Sequence, residues 1–155
     1  MSANGKPAVA IRVERMPHAA GLPLPAYATA GSAGLDLRAA VGETTWIAPG
    51  AWRAVPTGLR IALPPGYEGQ LRPRSGLALK QGVGLPNAPG TLDSDYRGEV
   101  QVLLINHSPR PFRIERGDRI AQLVVAPVER VEVVEIEAVD GTPRGDGGFG
   151  STGRR

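Results

Sequence analysis

Cysteine is absent from this sequence, which excludes disulfides, a thiolate nucleophile and thiolate metal sites. Histidine occurs twice, as His18 and His107, too few for a histidine-rich metal centre. Both read as surface or loop residues. Aromatic residues make up 5% of the chain, so valine, leucine and isoleucine must fill the core. No apolar run approaches the length that spans a bilayer, and no charged n-region precedes an apolar one at the start. The expectation is a soluble, cytoplasmic protein without a membrane partner. Basic residues alternate with acidic ones and form no stripe, so nucleic acid is not the expected partner. The net charge of +3 suits an anionic ligand instead.

What is abundant points to β structure. Twenty-one glycines and fifteen prolines interrupt the 155 residues too often for long helices and suit short strands joined by turns. The length fits one domain with a real core. Val9, Ile11 and Val13 alternate with polar or small residues, as do Leu35 and Leu37 around Asp36. Leu59, Ile61 and Leu63 repeat the pattern, and residues 67–72 read as another strand. Val100, Val102 and Leu104 share one face of a later strand, and residues 119–125 form the next. Residues 128–139 alternate valine and isoleucine with glutamate, interrupted at Val133-Val134. The best place for a helix is Leu77-Ala78-Leu79-Lys80, one or two turns long. Counting roughly ten to twelve short strands and no internal repeat gives an all-β barrel or sandwich.

The chain is organised around residues 90–99, Gly-Thr-Leu-Asp-Ser-Asp-Tyr-Arg-Gly-Glu. Two carboxylates and one aromatic ring stand between two glycines there. Gly90 and Gly98 permit sharp turns and close approach to the main chain. The segment reads as a hairpin rim presenting Asp93, Asp95 and Tyr96, although Asp-Ser-Asp also suits an ordinary turn. Upstream, Arg74 and Ser75 stand where a helix begins, and its free N–H groups favour an anion. Composition shifts at Asp140. Residues 140–155 are rich in glycine, with Phe149 their only large apolar side chain, and cannot fold alone. Arg144 and the glycine-flanked Ser151-Thr152 make this tail a plausible phosphate clamp. The expected division is a β-barrel over residues 1–139 and a flexible arm over residues 140–155 that closes the site.

Five stretches together resemble the motifs of the trimeric dUTPases, the dUTP diphosphatases. They are residues 33–38 (Ala-Gly-Leu-Asp-Leu-Arg), 73–78 (Pro-Arg-Ser-Gly-Leu-Ala), 90–99, 116–122 (Arg-Gly-Asp-Arg-Ile-Ala-Gln) and 144–153 (Arg-Gly-Asp-Gly-Gly-Phe-Gly-Ser-Thr-Gly). Any one is weak; five in order and spacing are strong. The resemblance implies a distorted jelly-roll-like subunit with one short helix, and a homotrimer with sites shared between subunits. It implies hydrolysis of dUTP to dUMP and pyrophosphate, limiting uracil incorporation into DNA and supplying dUMP for dTMP synthesis. Asp93 then matches the residue that activates the attacking water. Tyr96 matches the tyrosine that leaves no room for a 2′-hydroxyl, and Asn87 the reader of the uracil edge. Arg74, Ser75 and Gln122 match phosphate contacts, and Gly76, Gly90, Thr91 and Gly150 fall at further substrate contacts. Arg144 matches a γ-phosphate contact, Phe149 a cover for the uracil, and Ser151 and Thr152 part of the phosphate wrap. The implied cofactor is Mg2+, with Asp36 supporting its water shell indirectly. Leu92 stands where isoleucine or valine is more usual, and Pro86 removes a donor beside the proposed uracil reader.

The chemistry suits these residue types. Positioning and charge neutralisation dominate phosphoryl transfer. Magnesium takes oxygen ligands and keeps several waters, so a triphosphate can hold it without a protein cage. The alternatives are a dCTP deaminase or bifunctional deaminase–dUTPase, which share the fold, and a nucleotide-binding regulator without turnover. The complete stretch from Arg144 to Gly153 favours the diphosphatase over the deaminase, and an intact Asp93 argues against the regulator.

Overall fold

Alternating apolar and polar residues turn most of the chain into short strands. The structure, a computed structural model, describes residues 8–148, 151 and 153. Eleven strands run through the described residues: β1 (Arg12–Arg15), β2 (Leu35–Arg38), β3 (Thr45–Ile47), β4 (Trp52–Pro56), β5 (Leu59–Ala62), β6 (Tyr67–Arg72), β7 (Val83–Gly84), β8 (Gly90–Leu92), β9 (Gln101–Asn106), β10 (Phe112–Ile114) and β11 (Arg119–Pro127). A single α-helix, α1 (Ser75–Gln81), follows β6, and a 3-10 turn occupies Pro17–Ala19. No helix among the described residues is long and apolar enough to cross a membrane.

The strands pair antiparallel in four small sheets, ordered β1-β5, β3-β10, β4-β9-β7 and β2-β11-β6-β8. Together they wrap one core in an all-β, jelly-roll-like arrangement. Leu37, Ile47, Val55, Ile61, Val102, Leu104, Ile114 and Leu123 are buried together there. Each contributes about 1.5–3 kcal/mol of burial. The one amide in that core, Asn106, is fully paired. Its Nδ2 donates to the Ile47 and Arg110 carbonyls at 2.9 and 2.7 Å. Its Oδ1 accepts from the Ser108 amide at 2.9 Å and the Ser108 hydroxyl at 2.8 Å.

The four-stranded sheet positions the chemistry. Asp36 on β2, Gln122 on β11 and Arg72 on β6 stand in one row across it. Val124, Gln70 and Thr91 form another row on the same face, two residues along. Between them Leu35, Leu123, Leu71 and Gly90 turn to the opposite face, because successive side chains alternate across a strand. That face meets the core; the other carries polar groups.

One expected strand does not form. Residues 128–139 have no regular structure, and Val131, Val133 and Ile136 are exposed, Val133 by 92%. The alternation is real, but beyond the Val128 amide, which donates to the Gly66 carbonyl at 2.9 Å, no strand among the described residues lies beside it to take its main-chain hydrogen bonds or cover one face. The first strand is also shorter than its pattern: it begins at Arg12, after Val9 and Ile11.

Candidate active site

The polar row on the four-stranded sheet becomes a cleft where β6 gives way to α1. Asp36 is only 19% exposed, and its two oxygens face two guanidinium groups. Arg74 Nε lies 3.3 Å from Oδ1 and Arg119 Nη1 3.0 Å from Oδ2. Arg74 also donates through Nη1 to the Arg119 carbonyl at 3.0 Å. Gln122 donates from Nε2 to the Pro73 carbonyl at 3.0 Å, which ties β11 to the start of the helix. A Cβ on Gly34 would lie 2.5 Å from the Gln122 side-chain oxygen, so a larger residue there would displace that side chain. Gly34, Asp36, Arg74, Arg119 and Gln122, with Ser75 and Gly76, line a cleft of about 270 Å³.

Helix α1 enters this cleft at its first turn. Arg74 is its N-cap and makes no side-chain cap hydrogen bond. The first helical hydrogen bonds come from the Leu77 and Ala78 amides, both to the Arg74 carbonyl. The amides of Ser75 and Gly76 precede them and belong to the orphan donors of a helix start. The helix ends at Gly82, whose φ of 63° is the left-handed value glycine accepts without strain.

A second cleft of about 270 Å³ opens beside the hairpin. Asn87, Gly90, Thr91, Asp93, Tyr96 and Glu99 are among the residues that line it. Asp93, on the exposed turn that follows β8, accepts the Tyr96 amide through its carbonyl at 3.2 Å. Tyr96 is 44% exposed, and its hydroxyl donates to the Glu99 carbonyl at 3.0 Å. The two glycines serve space rather than backbone angle, and neither has a positive φ. A Cβ on Gly98 would sit 2.3 Å from the Tyr96 hydroxyl, and one on Gly90 would sit 2.9 Å from Asn87 Nδ2. The ring therefore lies flush on a bare main chain.

A family model described as dUTPase matches residues 20–153. A protein named deoxyuridine 5'-triphosphate nucleotidohydrolase, from Methylocella silvestris, is 62% identical over 145 residues, covering 92% of this chain and 91% of that one. The chain belongs to the dUTPase family. Among solved structures, it is similar to the dUTPase of Staphylococcus bacteriophage 80alpha with dUPNHPP. That match has a TM-score of 0.83 and 26% identity, over 93% of this chain and 98% of the other. A dUTPase variant from phage phi11 of S. aureus, described with a structural Mg(II) ion, shares the fold at a TM-score of 0.75. Its identity is 22%, over 85% of this chain and 99% of its own.

Within this dUTPase-family chain the expected site residues fall into separate groups. Asp36, Arg74, Ser75, Gly76 and Gln122 come together in the sheet-borne cleft. Asn87, Gly90, Thr91, Asp93 and Tyr96 come together in the hairpin cleft. Arg144 and Ser151 line neither; Arg144 donates to the Gly147 carbonyl at 2.8 Å in an exposed turn. Phe149, Gly150 and Thr152 lie outside the described residues. Sequence reasoning gave Arg119 no role, yet it stands against Asp36 with Arg74. Its signal was its place in the stretch 116–122, three residues before Gln122 at the opening of a strand. Among the described residues, no group of three or more histidine, cysteine, aspartate or glutamate residues could hold a metal ion directly.

Proposed function

We propose that this chain hydrolyses dUTP to dUMP and pyrophosphate by attack of water on the α-phosphorus. The observation that carries the reading is the hairpin cleft. It is lined by an amide-bearing side chain, a tethered aromatic ring and the exposed carboxylate of Asp93. Membership of the dUTPase family supports the reaction. In this reading Asp93 holds the water and takes its proton, since carboxylates are ionised at neutral pH. Asn87 and the main chain at Gly90 and Thr91 read the uracil edge. The Tyr96 ring lies against the deoxyribose and fills the space of a 2′-hydroxyl. Arg74, Ser75, Gly76 and Gln122 take the phosphates, with the guanidinium fork and the two leading helix amides as donors.

Mg2+ is the cofactor of this reading. Asp36 fits an indirect role, because both its oxygens already face arginines and only its remaining lone pairs are left for a water. When bound, the ion neutralises triphosphate charge, and the triphosphate itself supplies oxygen ligands.

The working unit in this reading is a homotrimer with shared sites, and residues 140–155 form an arm that closes a site through Arg144, Phe149, Gly150, Ser151 and Thr152. The separation of the two clefts within one chain, with Arg144 in neither, supports completion by another copy. Incubation with dUTP and with dCTP, assayed separately for pyrophosphate and ammonia, tests the reaction. Pyrophosphate from dUTP is expected. Ammonia from dCTP would make the chain a deaminase, and tight binding without turnover would make it a regulator. Sharing is tested by refolding Asp93→Asn together with a variant ending at Asp140. Each alone should be nearly inactive. If base and arm come from different copies, roughly one site in four regains both by random draw in a closed ring. No recovery, with mixing confirmed by mass spectrometry, would reject shared sites and leave the reaction standing.

A further inference from the structure

The residue that fixes Tyr96 is itself fixed from outside the cleft. Among the described residues the Tyr96 hydroxyl has one hydrogen bond, to the main-chain carbonyl of Glu99, and its ring rests on Gly98. Where the Glu99 main chain lies therefore decides where the ring stands. The Glu99 carboxylate ties that main chain down. Its Oε1 accepts the Gly58 amide at 2.7 Å and faces His18 Nε2 at 2.8 Å, and the side chain is 17% exposed. Hydrogen bonds to a carboxylate are stronger than neutral ones, so this is the firm end of the tether.

Both partners of that carboxylate are held in turn. Gly58 has a φ of 65°, and a Cβ there would fall 2.3 Å from Ala19 Cβ, so the turn after β4 packs flush on the 3-10 turn. The Gly58 carbonyl accepts the Met16 amide at 2.8 Å. The His18 and Ala20 carbonyls accept from Arg116 Nη1 and Nη2, at 2.6 and 2.8 Å. A continuous run of contacts thus leads from Arg116 through His18 and Glu99 to the Tyr96 ring.

The geometry points to Glu99 and His18 as a positioning pair that holds Tyr96 and so sets the sugar selectivity of the hairpin cleft. This rests on the reading that the Tyr96 ring excludes a 2′-hydroxyl. The bland alternative is that Glu99 only pairs the Gly58 amide and supports the fold. The two part over selectivity, because a fold-supporting contact lowers thermal stability without changing which sugar is preferred.

The test measures kcat/KM for dUTP and for UTP. Glu99→Ala should lower the dUTP-to-UTP ratio by about tenfold, and His18→Ala by about threefold. Glu99→Gln keeps an acceptor for the Gly58 amide and should recover most of the ratio. Tyr96→Phe removes the tether but keeps the ring, so it should act like Glu99→Ala. The double variant Tyr96→Phe/Glu99→Ala should be no worse than either alone, because both cut one connection. If Glu99→Ala does not fold, the same cycle is read with His18→Ala. A wild-type ratio in Glu99→Ala or His18→Ala, or additive effects in the cycle, would overturn the pair while Tyr96→Ala still loses selectivity. A wild-type ratio in Tyr96→Ala would instead overturn the reading of Tyr96, and the pair with it.

Discussion

The two clefts of this chain are built on opposite plans. In the sheet-borne cleft the charged groups are braced against one another. Asp36 faces two arginines, Arg74 reaches the Arg119 main chain, and Gln122 reaches the Pro73 carbonyl. Two strands and a helix start carry these groups, so each is held by another. In the hairpin cleft the groups assigned to chemistry, Asp93 and Tyr96, sit on one exposed turn tied back through Glu99. Preorganised charge suits a ligand that is always highly anionic. A carboxylate on a turn stays free to meet a water and a reacting phosphorus. On the proposed reading, the comparison teaches that phosphate binding and reaction rest on parts with different mechanical support.

Substitutions should sort by cleft, and the hairpin should show the largest effect. Asp93→Asn keeps the shape and removes the proposed base, so kcat should fall by at least about a hundredfold. Affinity for a non-hydrolysable dUTP analogue, measured by calorimetry, should hardly move. Near-normal turnover would remove Asp93 from its role. Next in size is the sugar preference. Tyr96→Ala should lower the dUTP-to-UTP ratio of kcat/KM by about tenfold or more, and Gly98→Ala, which pushes a methyl into the same ring, should move it in the same direction.

The sheet-borne cleft should respond in binding instead. Gly34→Ala forces the Gln122 side chain aside, since the new methyl would meet its oxygen at 2.5 Å. We expect KM for dUTP to rise by about fivefold with kcat within about twofold, a split that marks lost uniform binding. An equal fall in kcat would break the distinction between the clefts. The smallest effect belongs to neither. Glu14 and Arg60 pair at 3.1 Å on the exposed β1–β5 edge, and Glu14→Ala should change unfolding free energy by less than about 1 kcal/mol and leave both kinetic constants alone.

Much of this was legible in the residues, for reasons that can be stated. Period-two alternation located β2, β5 and β9, because those strands pack one face on the core inside this chain. The same alternation over residues 128–139 pointed to a strand and was misleading, because a pattern records the need for a partner and not its presence. Gly90 and Gly98 were singled out for freedom of backbone angle and for letting a ligand approach the main chain; neither has a positive φ, and the groups that lie against them are the chain's own Asn87 and Tyr96 side chains. The pairing of His18 with Glu99, 81 residues apart, was beyond reach. Nothing local marks a histidine in a short turn as the neighbour of a distant glutamate. The brace of Arg119 on Asp36 was hidden similarly, since it depends on the register between β2 and β11.

The two-faced sheet also governs how such a protein can change over generations. Asp36, Gln122, Arg72 and Thr91 point one way, while Leu35, Leu123, Leu71 and Leu92 belong to the other face, one residue away along the same strands. On the proposed reading, mutations that retune ligand preference and mutations that erode the core therefore fall at interleaved positions, yet they act on different properties. A random library over β2, β6, β8 and β11 should yield two populations: variants altered in KM at unchanged melting temperature, and variants with lowered melting temperature at unchanged KM. Gln122 is the point of leakage between them, because Ala121 and Leu123 beside it are fully buried. A lineage free to explore new ligands on this scaffold would be expected to spare that position longest.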